Sequence, residues 1–318
     1  MKGCARSCLL WLGGWIIGAA AFYVYLQRFG VIVPGLWWAA AGAGLCTLAS
    51  IAYLLAIGTS VKERAMLLGA IVGNRPKDGA WVAISGTIRS NEPLQTPITG
   101  ATAVAYEYQI SRDETSSTSN TRKSKAIHYE GKALAPSTIT TRQGAFRLLA
   151  VPTLDVPREH PQTPDAFARA AKYVKTTAFQ TSNTPKDERI GMEQEAADDD
   201  GFFRVDKHLS DGNVDVTTCR LEERHIKQGE MVCAFGLYSV ARGGLIPHPN
   251  WSRTARLMRG DATTVSDQLG NRIIKYAIGA VIFAAAAFGI TKLYESKASV
   301  HREVHRQVQV ALDRGAVE

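Results

Sequence analysis

His301 and His305 stand four residues apart with Glu303 between them, a spacing that puts both imidazoles on one face of a helix. Such a pair can open a zinc site. Arg302, however, holds the position where a His-Glu-x-x-His motif carries its glutamate, so a solvated helix accounts for the pair better. Cys219 and His225 are the residue types of a nucleophile and its base, six positions apart and with no evident third partner. Glu222 and Glu223 are adjacent, so an extended chain points them to opposite faces and a paired acid/base role is disfavoured. Asp198, Asp199 and Asp200 have the charge to attract calcium but lack the alternating spacing of a ligand loop, and read as a solvated turn. Gly243-Gly244 is a turn, because neither a helix start nor a lysine follows as a phosphate loop requires. No catalytic, cofactor-binding or metal-binding residue is assigned from these patterns, and no cofactor is expected.

The elements that would carry these residues divide the chain sharply. No charged side chain lies between Arg6 and Arg28, between Arg28 and Lys62, or from Tyr276 to Thr291. A hydrocarbon layer of about 30 Å takes about 20 mostly apolar helical residues, and a charge at its centre costs about 2.5–3.5 kcal/mol. The expected fold is therefore a membrane protein of mixed α+β class. A transmembrane helical hairpin occupies residues 1–60, with spans at about 8–26 and 36–58, and a polar, strand-rich domain fills 61–271. A single transmembrane helix follows at 272–293, and residues 294–318 form an amphipathic tail with Val300, Val304, Val308 and Leu312 as its stripe. A cleaved signal peptide over residues 1–26 is the alternative for the first span; the second span that follows favours retention. Gly14 and Gly18 form a small-xxx-small pair suited to close helix approach.

Within the polar domain, Lys62 to Val72 reads as a short helix continuing from the membrane. Strands are expected at 81–88, 103–110, 125–133, 145–151 and 231–240, with a short return at 243–247 and a helix at 165–179. Gly86 and Gly236 lie inside strand patterns and mark bulges or tight corners. Segments 111–125 and 180–201 read as loops. The weight of strands predicts a small β-barrel or sandwich with helical additions.

Charge narrows the partners. The formal net charge is +8, but the basic residues are scattered among acids, which excludes a nucleic-acid binder and leaves a modest attraction to anionic lipid. Basic residues near the span ends number six on the domain side (Lys2, Arg6, Lys62, Arg64, Arg272, Lys275) and five opposite (Arg28, Lys292, Lys297, Arg302, Arg306). Arg75, Lys77 and Arg259 add to the first side, so the count favours a cytoplasmic domain in a bacterial inner membrane. Cys4, Cys8 and Cys46 lie in or beside the spans, whereas Cys219 and Cys233 lie in the domain, as a bridge or as two buried thiols.

Three blocks together resemble the GIDE-type ("beside a membrane") domain of Mulan-like E3 ubiquitin ligases and their prokaryotic relatives. The first is Val82-Ala83-Ile84-Ser85-Gly86-Thr87-Ile88 with Pro93-Leu94, Thr96-Pro97, Gly100 and Val104-Ala105-Tyr106. The second is Gly144-Ala145-Phe146-Arg147-Leu148. The third is Leu221 to Glu230 running into Val232-Cys233-Ala234-Phe235-Gly236. The resemblance implies a membrane-proximal β-rich module and, by family name, ubiquitin transfer. It also favours an intermembrane-space or periplasmic domain, against the charge count. Ligases of this kind carry a zinc-binding RING finger after the last span, and residues 294–318 contain no cysteine. The expected function is thus a membrane-anchored interaction or scaffold module without its own catalytic centre. Its expected partners are the lipid bilayer, a membrane or envelope protein and another copy of itself. A ligase-like protein and an oligomeric transporter or pore component are the alternatives.

Overall fold

Strand-forming residues in alternating pattern dominate the middle of the chain, and in the computed structural model they build two sheets. The structure describes residues 2–28, 36–115, 123–181, 200–209, 214–248 and 254–315. Two compact units result: Met1–Lys62 with Leu269–Glu318, and Glu63–Gln268. Helices α1 (Lys2–Gln27) and α2 (Leu36–Val72) come first, and the last element, α4, is a 54-residue helix over Ala262–Gly315.

In the first unit, glycine decides how closely the helices approach. A Cβ on Gly44 would stand 2.8 Å from the backbone nitrogen of Ala19 and 3.1 Å from the Gly18 carbonyl carbon, so only glycine fits there. Beside this crossing Trp15 Nε1 donates to the Ala41 carbonyl at 3.1 Å. On the other side of α2, Ser50 Oγ donates to the Ala280 carbonyl at 3.1 Å, and the Tyr53 ring covers Gly279. Among the described residues two helices, from Trp37 and from Ala262, are long and apolar enough to cross a membrane, and α1 carries a shorter apolar stretch over Gly14–Gln27. The span expected at 272–293 and the tail expected after it lie on one continuous helix, α4. With no proline or glycine between Leu293 and Gly315, nothing interrupts the hydrogen-bond ladder of α4. Nor does that helix wait until residue 272: Asp261 Oδ1 accepts the Thr264 N–H at 2.8 Å and caps it ten residues earlier.

The second unit holds the sheets. Its strands are β1 (Trp81–Ser90), β2 (Leu94–Gln95), β3 (Thr102–Thr115), β4 (Lys123–Leu134), β5 (Ser137–Thr141), β6 (Gly144–Leu148) and β7 (Thr153–Asp155). After helix α3 (Pro164–Thr176) come β8 (Gln180–Thr181), β9 (Phe203–His208), β10 (Arg220–Lys227), β11 (Met231–Ser239), β12 (Gly244–Ile246) and β13 (Arg256–Arg259). Strands β1, β5, β6, β12 and β11 close into a five-stranded barrel, because β1 pairs with β5 at one edge and with β11 at the other. Closure brings backbones together at Gly86, where a Cβ would lie 2.2 Å from the Thr140 carbonyl oxygen. The β1–β11 register runs through Gly86 and Gly236 without a shift, so these glycines serve close packing and not bulges. The register shifts fall instead at Ile110/Ser111 and Ile226/Lys227.

The second sheet has the order β10-β3-β4-β9-β8, with β2 paired to β3. Of the loop expected over 111–125, the two flanks are strand, since β3 runs on to Thr115 and β4 starts at Lys123, each paired to the other, and residues 116–122 lie outside the described set. Of the loop expected over 180–201, Gln180 and Thr181 pair with β9, and residues 182–199 lie outside the described set. One core cluster joins the barrel lining (Ile88, Leu148, Val232, Leu245) to Ala105, Leu134, Phe203 and Ile226 of this sheet. A second cluster lies on the opposite face, where Ala166 and Ala170 of α3 cover Tyr106, Tyr108 and Leu221. Thr163 caps α3 by accepting the Ala166 N–H at 3.3 Å, with Pro164 at the first helical position.

Candidate functional site

The second sheet turns one face from apolar to charged along its strands. The cross-strand row Ile226–Ala105–Leu134–Phe203 belongs to the core. Two residues along, the row becomes Arg224–Glu107–Lys132–Val205, and two further it is Glu222–Gln109–Glu130–Lys207. Because side chains alternate, every member of these rows faces the same way. Together with Pro152, Thr153 and Arg158, the two charged rows line a cleft of about 470 Å³.

Electrostatics differ along this floor. Glu222 is buried yet met by three cations: Lys125 Nζ at 2.7 Å, Arg158 Nη1 at 2.5 Å and Arg220 Nε at 3.1 Å. Burial alone would raise its carboxyl, but Lys125 and Arg158 hold it below the ordinary value. Glu107 goes the other way. Burial pushes it up, and the Leu154 N–H at 3.1 Å and the distant Arg224 guanidinium at 3.9 Å offset that only in part. Arg224 Nη1 donates to the Leu154 carbonyl at 3.1 Å, while its Nε is buried with no hydrogen-bond partner.

On the opposite face, Glu223 and His225 are both almost fully buried. Glu223 Oε2 accepts the Ile98 N–H at 2.8 Å, Oε1 takes the Thr99 hydroxyl in a short bond, and His225 Nδ1 lies 3.4 Å from Oε1. That last approach does not satisfy hydrogen-bond geometry. Burial would raise the Glu223 carboxyl, and these donors outweigh it, leaving the group below its ordinary value. The order Thr99–Glu223–His225 places the carboxylate between hydroxyl and imidazole. A nucleophile needs the base beside it, so this trio is a strut and not a triad. It ties the turn at 96–100 to β10.

A third cluster completes that face. Asp206 Oδ1 accepts from Tyr108 at 2.8 Å and Tyr173 at 2.7 Å, and its Oδ2 from Arg204 Nε at 2.8 Å. Burial and the adjacent carboxylate raise both tyrosine pKa values, so the phenols stay protonated and donate. Gly131 leaves room for them: a Cβ there would sit 2.5 Å from Tyr108 Cε1 and 2.7 Å from Asp206 Oδ1.

The structure separates the candidate pairs. Glu222 and Glu223 do face opposite ways, but inside β10 and not ahead of a strand. Cys219 ends a 3-10 turn, its Sγ 3.5 Å from the Asp215 carbonyl, whereas His225 turns to Glu223 and to Glu159 at 3.9 Å. The two thus form no nucleophilic couple. Cys219 and Cys233 are free, not bridged, and burial pushes the Cys233 thiol up to about 12. Gly243 has φ +62°, as its turn requires. Side chains of His301 and His305, Asp198 and Asp199 lie outside the described residues; among those described, no three His, Cys, Asp or Glu side chains cluster as metal ligands. Arg158, Thr99 and Glu107 are not singled out by the sequence. The signal for Glu107 is the polar half of its alternating strand, Tyr-Glu-Tyr-Gln at 106–109, whereas Arg158 and Thr99 lie outside the strands, where no such period marks them.

The described residues define a mixed α+β protein with a closed five-stranded barrel and two helices long and apolar enough to span a membrane. No protein-family model, curated protein or solved structure matches the chain.

Proposed function

We propose that this protein is a membrane-anchored interaction module, held in a bacterial inner membrane by several spans and receiving its partner in the charged cleft. The observation that carries the reading is the surface of the helices. Trp37, Leu45, Ile51, Leu54 and Leu55 of α2 and Ile274, Ile278, Val281, Ile282 and Phe288 of α4 are all exposed. Water would penalise so long an apolar surface by about 25 cal/mol per Å², and lipid removes the penalty. The GIDE-type resemblance is compatible with this reading. Its first block falls on β1, β2 and the start of β3, its second on β6, and its third on the consecutive strands β10 and β11.

Alkaline carbonate washing of membranes from cells making the full chain tests the anchor. Retention in the pellet is expected, with solubilisation only by detergent. Full release into the aqueous wash overturns the reading.

A further inference from the structure

Three cations converging on one carboxylate leave charge over. Lys125, Arg158 and Arg220 all contact Glu222, so one negative charge faces three positive ones. Like charges this close repel and their side chains would otherwise splay into water. The Glu222 carboxylate, only 5% exposed and with Arg158 part of the cleft lining, collects all three around itself. Each cation keeps donors in hand. Arg158 commits Nη1 and Arg220 commits Nε, while the rest of each guanidinium fork is unspent, and the side chains are 46% and 55% exposed. One cross-strand row away, Arg224 adds a guanidinium whose Nε has no hydrogen-bond partner. Glu107, its nearest acid, is 3.9 Å off and held toward its neutral form by burial.

We infer that this cluster is a binding site for a phosphate-class dianion, with Arg158, Arg220 and Lys125 as its donors and Glu222 as the group that positions them. Among the described residues Glu222 is the acid paired with all three cations, and the excess of two positive charges matches a phosphomonoester, whose oxygens suit guanidinium forks. The phosphate belongs to a soluble monoester or to an anionic lipid headgroup; both present the same dianion. The site stands whether or not the helices lie in a bilayer.

Full-length protein in phosphatidylcholine nanodiscs, titrated calorimetrically with inorganic phosphate and with glycerol phosphate, tests the site. Saturable binding is expected, weakened about tenfold or more in Arg158→Ala/Arg220→Ala, two exposed positions that leave folding intact. Absence of saturable binding, or unchanged affinity in that double variant, overturns the proposal. Glu222→Gln separates a built site from bulk charge: it raises the positive charge yet removes the organiser, so weaker binding supports the proposal and tighter binding refutes it. Circular dichroism of each variant excludes misfolding as the cause. Nanodiscs containing phosphatidic acid distinguish the sources. Competition by the lipid against glycerol phosphate assigns the headgroup, and undiminished glycerol phosphate binding assigns the soluble ester.

Discussion

Glu222 and Glu223 are neighbours in sequence and opposites in environment. Glu222 looks into the cleft and is neutralised by three long, partly exposed cations. Glu223 looks into a dry layer and is held by a backbone N–H and a threonine hydroxyl, with an imidazole 3.4 Å away. Water can replace the first set of partners when one is lost. It cannot easily reach the second. The comparison separates two uses of a buried carboxylate, one that gathers flexible charges for a ligand and one that fastens a turn to a strand.

The largest effect should come from Glu223→Ala, which strands the Ile98 N–H and the Thr99 hydroxyl without their acceptor. A loss of about 3 kcal/mol is expected in urea denaturation. A loss under about 1 kcal/mol would mean that water enters this layer and that the two faces are alike. Next comes Gly131→Ala, whose methyl group would overlap Tyr108 and Asp206. It should cost about 2 kcal/mol and disturb the tyrosine environment, read by near-ultraviolet circular dichroism.

Acidity sharpens the contrast further. The Glu223 carboxyl lies below its ordinary value of 4.5 in the folded protein. Its contribution is therefore present above that value and lost as pH falls through the folded pKa. Glu107 is raised above 4.5, so its contribution has the opposite sign, present in acid and lost as pH rises through the folded pKa. Glu107→Gln should thus stabilise the protein at neutral pH relative to the parent while leaving its stability in strong acid unchanged. A thermal melt series from pH 3 to pH 8 checks both slopes. The smallest effect belongs to Glu222→Gln, about 1 kcal/mol or less and shrinking further in high salt, because its partners are solvent-accessible. A salt-independent loss as large as that of Glu223→Ala would erase the distinction.

Much of this architecture is legible from composition and period. The apolar stretches of α2 and α4, the α3 helix behind Thr163-Pro164, and β1, β3 and β11 follow from local patterns. Strands β9 and β10 were harder because their sequences, Phe-Arg-Val-Asp-Lys-His and Arg-Leu-Glu-Glu-Arg-His-Ile-Lys, carry charge on a face that local pattern assigns to solvent. The structure instead divides those charges, with Glu222, Arg224 and Lys207 in the cleft floor and Glu223, His225, Arg204 and Asp206 on the opposite face. Likewise, the extension of β3 and β4 to Thr115 and from Lys123 has no apolar alternation to announce it. Pairing between the two strands, not burial, carries that stretch.

What the amino-acid order determines alone is where the chain avoids water and where it alternates, since both are properties of neighbouring residues. Which charges meet is a different matter. Glu222 finds Arg158 64 positions away and Lys125 97 away, and Glu223 finds Ile98 125 away. No local period encodes such meetings. They exist because the sheet stacks β10 beside β3 and because the barrel closes. Backbone hydrogen bonding and core burial, summed over the whole unit, place carboxylates and cations that the linear chain keeps far apart.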